Sequence, residues 1–179
     1  MTAQAMLQRL SVRELPVCRR VNLLCERPTI ARFFAVVSRL GDGVFWYSLM
    51  AILPLVHGPA AWEVVIEMAL TGLISLTLYK RLKGTTLRQR PFQMDHGIRL
   101  GTAPLDAYSF PSGHTLHAVG FSCVLLSHLP VWAPLVVPFA ALVAASRVVL
   151  GLHYPSDVAA GAALGGLVAA TVLTLGPFV

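Results

Sequence analysis

Charge is scarce in this chain, and negative charge is the scarcest. Asp, Glu, Lys and Arg make up 12% of its 179 residues, and only 8 residues are acidic. Hydrophobic side chains reach 56%, and the mean hydropathy is +0.70. Such a composition excludes an ordinary soluble domain and is typical of integral membrane proteins. No carboxylate cluster able to hold magnesium is visible, so we expect neither a metal nor another cofactor.

Cysteine is also rare, and its pattern points to no metal or disulfide. Cys18, Cys25 and Cys123 are odd in number and lack metal-ligand spacing, so we interpret them as free thiols. Residues 1–20 lack the sustained apolar core of a cleavable signal peptide. The net charge of +6 could indicate nucleic acid, but in a membrane chain it more often reflects orientation or anionic headgroups. We therefore expect the lipid bilayer as a partner and no nucleic acid.

Long apolar sequence is what the chain has in abundance. Five segments are apolar enough, together with their flanks, to enter a membrane: residues 44–56, 60–79, 115–129, 131–150 and 159–179. The pattern predicts an all-α fold, a multi-pass transmembrane helical bundle of about five spans.

Residues 28–40 leave the number of spans open. Apolar side chains recur there at helical spacing, with Arg32 and Arg39 among them, which predicts an amphipathic helix lying on the membrane. The alternative is a sixth span, in which each arginine costs roughly 2.5–3.5 kcal/mol at the bilayer centre. We accordingly divide the chain into an amphipathic N-terminal segment, residues 1–41, and a transmembrane domain, residues 42–179.

Short polar clusters interrupt the apolar sequence at three places. They are Lys83 with Arg90-Pro91, then Pro111-Ser112-Gly113-His114, and then Ser146-Arg147 followed by His153 and Asp157. Five spans bring all of these clusters to the same end of the bundle, although they lie far apart along the chain. The same arrangement puts all 14 Lys and Arg residues at that end. Polar loops without a shared function have no reason to lie at the same end of the bundle. The convergence of the three clusters therefore predicts that they form a single site.

The residue types in these clusters suit a phosphate ester. Its charged oxygens repel nucleophiles, so catalysis depends on positioning and on neutralising charge. Lys83, Arg90 and Arg147 would supply fixed positive charge, and an arginine can bind two phosphate oxygens at once. Ser112 and Gly113 would leave N–H groups near a helix N-terminus, where an anion is favoured.

The histidines and the carboxylate complete a hydrolytic scheme. His153 could attack phosphorus and form a phosphohistidine. Asp157 could bond one imidazole nitrogen and stabilise the cation that forms. His114 would protonate the leaving oxygen and then activate water to release phosphate.

The patterns Lys-x6-Arg-Pro, Pro-Ser-Gly-His and Ser-Arg-x5-His-x3-Asp resemble the signature motifs of the type 2 phosphatidic acid phosphatase (PAP2) family. All of them are complete and in order, and the resemblance covers about residues 41–179. It implies a helical membrane core and metal-independent dephosphorylation through a phosphohistidine. It also implies these roles: nucleophile His153, acid–base His114, orienting Asp157, and phosphate ligands Lys83, Arg90, Ser112, Gly113 and Arg147.

Three functions are compatible with a cationic, histidine-bearing site on a membrane protein. The leading hypothesis is a lipid phosphatase acting on phosphatidate, phosphatidylglycerophosphate, or a polyprenyl phosphate or diphosphate such as undecaprenyl diphosphate. The alternative is a non-enzymatic small membrane protein that binds anionic lipid, which explains the charge asymmetry but not the histidines or Asp157. A related fold hosts vanadate-dependent haloperoxidases, but those are soluble and larger.

The side of the membrane that holds the site depends on the number of spans. With five spans every Lys and Arg accompanies the site, and positive residues favour the cytoplasm. With residues 28–40 as a sixth span, the N-terminal arginines favour a periplasmic site, which is where the resemblance points for bacterial members. We expect five spans and a cytoplasmic site in the inner membrane of a bacterial cell. No feature of the sequence indicates an oligomeric state.

Overall fold

A computed structural model describes residues 3–175, and within that range the chain is helical and contains no strand. Its α-helices are α1 (Ala3–Asn22), α2 (Pro28–Arg39), α3 (Phe45–His57), α4 (Ala61–Thr86), α5 (Pro91–Met94), α6 (Gly113–His128), α7 (Ala133–Val149) and α8 (Pro155–Thr174). Single turns of 3-10 helix lie at Leu23–Glu26 and Pro130–Trp132, and a π-helical segment lies at Leu40–Val44. The predicted all-α fold is confirmed.

Each predicted apolar segment corresponds to a helix. By length and composition, four helices in the described part of the chain can cross a membrane: Pro28–His57, Ala61–Met94, Pro130–Val149 and Pro155–Thr174. Helix α6 is shorter, with 16 residues, and packs against α4, α7 and α8. The protein is thus a multi-pass membrane protein, with α6 as a fifth, central helix. The last segment was predicted to reach residue 179, and residues 176–179 lie outside the described range.

The helix over residues 28–40 is confirmed, and it is joined directly to α3. Helix α2 passes into α3 through the π-helical segment, which is kinked at Gly43, and Pro28–His57 together make one candidate span of 30 residues. At 1.5 Å per residue this is about 45 Å, longer than the roughly 30 Å hydrocarbon core. Its length therefore lets the first turns, including the exposed Arg32, extend beyond that core while α2 packs along α7.

Helices α6 and α8 pack closely against each other, and this contact sets the position of the second motif. A Cβ atom on Gly161 would lie 2.5 Å from the carbonyl oxygen of Ser112, and one on Gly165 would lie 2.3 Å from that of Leu116. Only glycine therefore allows this approach, as is common where membrane helices pack closely. The contact brings the N-terminus of α6 against the first turn of α8.

The N-terminal helix α1 packs on the same end of the bundle as the polar clusters. Cys18 is fully buried beside Ile98 and Tyr154, and Asn22 donates to the carbonyl oxygens of Val149 and Arg99 at 2.8 and 2.9 Å. Segment 1–41 thus contacts the rest of the chain closely, and its treatment as a separate unit stays a prediction.

Candidate active site

The three polar clusters meet at one cavity, as predicted from the spans. The cavity has a volume of about 390 Å³ and lies where α4 and α7 end and α6 begins. Six of the eight predicted site residues line it: Lys83, Arg90, Gly113, His114, Arg147 and His153. The other two, Ser112 and Asp157, are fully buried behind it.

Lys83 and Arg90 share one anionic partner, Asp106. The Lys83 Nζ atom lies 2.7 Å from each carboxylate oxygen of Asp106, and Arg90 Nη2 lies 2.8 Å from its Oδ1. Sequence reasoning missed Asp106, whose only signal was a lone carboxylate in the loop that joins the first two motifs. Asp95 of the same loop instead approaches Arg19, at 3.9 Å.

Asp106 is held in its charged form. Burial alone would raise the pKa of its carboxyl, but the hydrogen bonds and charges of Lys83, and then those of Arg90, lower it below the ordinary value. The two cations are therefore occupied by a carboxylate at the position where a phosphate would be bound. An incoming phosphate has to share these cations with Asp106 or displace it.

Arg147 approaches the cavity from the last turn of α7. Its side chain is buried, and Nη1 donates to the hydroxyl oxygen of Ser38 on α2. Its Nε–H has no hydrogen-bond partner within the described residues. A buried donor without a partner is unfavourable, and it leaves the guanidinium of Arg147 with unused hydrogen-bonding capacity beside the cavity. Ser38, which orients Arg147, was also missed from the sequence.

His153 is fully enclosed between charged groups. Its Nε2 lies 3.2 Å from Arg90 Nη1, whereas its Nδ1 lies 3.5 Å from Asp157 Oδ2 without forming a hydrogen bond. Burial lowers the pKa of His153 well below its ordinary value, and the positive charges of Arg147, Arg90 and Lys83 lower it further. The imidazole is therefore neutral near pH 7, and one ring nitrogen keeps the lone pair that a nucleophile needs.

Asp157 is fixed by a network that sequence reasoning did not find. Its Oδ1 accepts from Arg88 Nη1 at 2.5 Å, and its Oδ2 accepts from the backbone N–H of Tyr154 at 2.9 Å. Arg88 Nη2 in turn donates to Glu14 of α1 at 2.9 Å, and Glu14 also accepts from the N–H and hydroxyl of Ser156. A buried carboxylate needs such partners, so Arg88 offsets part of the cost of burying Asp157 beside His153.

The second motif divides its residues between the cavity and the protein interior. His114, in the first turn of α6, reaches the cavity, with its Nε2 atom 3.6 Å from Oδ1 of Asp42. Ser112 turns away: its hydroxyl bonds that of Thr115 at 2.9 Å, and its N–H donates to the carbonyl oxygen of Asp157 at 3.1 Å. Its assignment as a phosphate ligand stays a prediction, and it requires Ser112 to exchange one of these partners for phosphate.

The cavity has a second, apolar wall. Away from the cations it is lined between α3 and α4 by Trp46, Met50, Leu73 and Leu76. A site with a cationic end and an apolar side suits a substrate that joins phosphate to a hydrocarbon chain. The described residues contain no group of three or more His, Cys, Asp or Glu side chains placed to hold a metal ion.

Comparison with known proteins determines the family. A family model described as the PAP2 superfamily matches residues 60–178, a range that contains all three motifs. The chain belongs to the PAP2 superfamily. It is accordingly an enzyme, a PAP2-type phosphoric ester hydrolase of the membrane.

Several relatives carry more specific names. A decaprenylphosphoryl-5-phosphoribose phosphatase of Mycobacterium tuberculosis is 33% identical over 159 residues, which are 87% of this chain and 85% of the relative. An undecaprenyl-diphosphatase of Sulfolobus acidocaldarius is 29% identical over 138 residues, 76% of this chain and 66% of the relative.

Solved structures share the architecture. The crystal structure of Aquifex aeolicus LpxE superposes with a TM-score of 0.75 at 30% identity, covering 90% of this chain and 94% of that one. A transmembrane PAP2 type phosphatidylglycerolphosphate phosphatase from Bacillus subtilis superposes with a TM-score of 0.67 at 24% identity, covering 98% and 96%. The second likeness is one of fold alone.

Proposed function

We propose that this PAP2 enzyme removes phosphate from a lipid-linked phosphomonoester or diphosphate, and that a polyprenyl phosphate or diphosphate is its substrate class. The main observation in its support is the cavity that joins a cationic, histidine-bearing end to an apolar wall between α3 and α4. The relatives named as phosphatases of decaprenyl- and undecaprenyl-linked phosphates favour polyprenyl over diacyl lipids.

The reaction proceeds as a double displacement. His153 Nε2, the nitrogen turned away from Asp157, attacks phosphorus while the bond to the lipid-side oxygen breaks. His114 donates its proton to that oxygen as it leaves. A water molecule then attacks the phosphohistidine and gives a proton to His114, and the P–N bond breaks to release phosphate. Protons and charge balance over the cycle, because His114 returns to its starting form.

The cations stabilise the charge that develops on the transferring phosphoryl group. Lys83 and Arg90 exchange Asp106 for phosphate oxygens, and Arg147, which lines the cavity, adds its positive charge. Gly113 lines the cavity at the N-terminus of α6, where the helix dipole and backbone N–H groups favour an anion. Asp157 stabilises the imidazolium side of the phosphohistidine.

Phosphate release from a panel of lipids tests this function. Purified protein in detergent is offered phosphatidate, phosphatidylglycerophosphate, a polyprenyl phosphate and a polyprenyl diphosphate. We expect turnover of a polyprenyl substrate to exceed that of both diacyl lipids, and to disappear in His153→Ala. Preferred turnover of a diacyl lipid would refute the substrate class, and lipid binding without any phosphate release would refute the reaction.

We expect catalysis to continue in EDTA and to be inhibited by vanadate. The proposed mechanism uses fixed cations from Lys83, Arg90 and Arg147 in place of a metal ion, and vanadate resembles five-coordinate phosphorus. Initial rates are compared before and after exhaustive chelation, and again with added magnesium. Loss of activity on chelation that magnesium restores would show that the reaction depends on a metal ion.

We also propose that the site faces the cytoplasm of a bacterial cell. With Pro28–His57 as one crossing helix, all 14 Lys and Arg residues belong to the end that carries the site, and positive residues favour the cytoplasmic side.

An impermeant thiol reagent applied to intact cells tests this orientation, in a background without native cysteines. We expect His96→Cys, in an exposed position at the site end, to be protected, and Val131→Cys, exposed at the opposite end, to be labelled. The reverse pattern would place the site outside.

A further inference from the structure

The helix Pro28–His57 is distorted at one place, and a carboxylate is found there. The segment Leu40–Val44 is π-helical, and Gly43 has non-helical angles of φ 131° and ψ −36°. Single π turns inside α-helices are frequent at functional sites. The distorted segment contains Asp42, whose carboxylate lines the cavity. An acidic residue within a membrane helix is energetically costly, and such residues usually mark a functional site.

The neighbouring glycines show that the local sequence fits this geometry. The positive φ of Gly43 suits only glycine, and a Cβ atom there would lie 2.7 Å from the ring of Tyr47. A Cβ atom on Gly41 would lie 2.7 Å from the side chain of Val143 on α7. The two glycines therefore allow the helix to distort and to pack closely while Asp42 faces the cavity.

The position of Asp42 matters because of what surrounds His114. Charged or titratable groups approach this imidazole from every element around it: Arg147 from α7, Lys83 from α4, His153 from the α7–α8 connection, His117 from α6 itself and Asp42 from the π-helical segment. Of these groups Asp42 alone is acidic. The others carry or can carry positive charge and so oppose a proton on His114, which the proposed mechanism requires before the lipid oxygen leaves. A carboxylate 3.6 Å from Nε2 favours the protonated imidazole.

We propose that Asp42 is a positioning residue that turns His114 toward the leaving oxygen and favours its protonated form. The inference rests on the proposed double displacement and extends it to a residue outside the range 60–178 that the family model matches. Asp42 thereby acts through His114 in the first chemical step. It forms no bond to the substrate.

The dependence of rate on the leaving group separates this role from a structural one. A lipid alcohol leaves poorly without a proton, whereas p-nitrophenolate leaves readily without one. We expect Asp42→Asn to lower kcat for the lipid phosphate by about 100-fold, the lower end of what a general acid contributes. With p-nitrophenyl phosphate we expect only a few-fold loss. An equal loss on the two substrates would overturn the proposal.

Two further variants test charge and folding. Asp42→Glu keeps the carboxylate, and we expect it to keep the wild-type ratio of lipid to aryl turnover more closely than Asp42→Asn does. Asp95→Asn removes a carboxylate that pairs with Arg19 outside the cavity, and its kinetics should match wild type. If Asp42→Asn is poorly folded, as judged by thermal unfolding in detergent, the kinetics of Asp42→Glu are the test. A ratio of lipid to aryl turnover well below that of wild type, although the carboxylate is kept, would contradict a role for the charge.

Failure of this inference is distinguishable from failure of the proposed function. Wild-type protein that releases phosphate in a His153-dependent manner, combined with a uniform loss in Asp42→Asn, overturns the role of Asp42 alone. Wild-type protein without His153-dependent turnover of either ester would refute the double displacement and the role of Asp42 together.

Discussion

Replacing His153 with alanine should reduce turnover of the lipid phosphate by at least about 1,000-fold while the protein still folds. The side chain supplies the attacking nitrogen, and Arg90 Nη1 lies 3.2 Å from His153 Nε2. Because its pKa lies well below the ordinary value, wild-type activity should fall on the acidic side only at a pH below the usual range of histidine. The measurement is a kcat–pH profile on purified protein.

His114→Ala should cost a comparable amount on the lipid substrate, because it removes the acid from the first step and the base from the second. The double variant should be little worse than either single one, since catalytic groups that act as a unit are strongly non-additive. His57→Ala is the matched control: His57 lies at the opposite end of the bundle and accepts from Trp132 Nε1 at 3.0 Å. Near-wild-type rates in either catalytic variant would refute its assignment.

Arg147→Lys should lower kcat/KM by about 100-fold even though the charge is kept. The guanidinium of Arg147 donates to Ser38 from one nitrogen while the side chain lines the cavity. A lysine ammonium has a different shape and cannot contact Ser38 and two phosphate oxygens in the same plane. Part of the loss should appear in kcat, because a transferring phosphoryl group is bound most strongly in the transition state.

Two controls accompany Arg147→Lys: one changes a surface arginine, and the other removes the hydroxyl group that orients Arg147. Arg81→Lys changes an exposed arginine at the same end of the bundle, and its kinetics should equal those of wild type. Ser38→Ala removes the partner of Arg147 and should give a smaller loss than Arg147→Lys, because the guanidinium remains. Unchanged kinetics in Arg147→Lys would show that the residue serves only as an interfacial anchor.

Much of the architecture and of the candidate site follows from local sequence signals. Each apolar segment corresponds to a helix because a span is defined by its own length and hydropathy. The convergence of Lys83, Arg90, His114, Arg147 and His153 on one cavity follows from the number of helices between them. The motif spacings and the alternation of helix direction therefore sufficed to predict which cations and histidines meet in the cavity.

The continuity of α2 and α3 was not predictable in the same way. Leu-Gly-Asp-Gly at positions 40–43 has the composition of a helix break, because glycine lowers helix propensity and favours turns. The chain does kink there, at Gly43, yet α2 packs along α7 and passes through a π-helical segment into α3. Tertiary contacts thus join the predicted surface helix and the first apolar segment into a single candidate span.

By itself, the sequence determined the membrane class, the helix segments and the motif residues that meet in the cavity, because hydropathy, length and spacing are properties of short stretches. Only the tertiary structure decided which carboxylates accompany them: Asp106 on Lys83 and Arg90, Asp42 beside His114, and Glu14 with Arg88 behind Asp157. Each of these is a single acidic residue with no motif around it. Its role depends on contacts across long stretches of chain, and such contacts exist only once the helices pack.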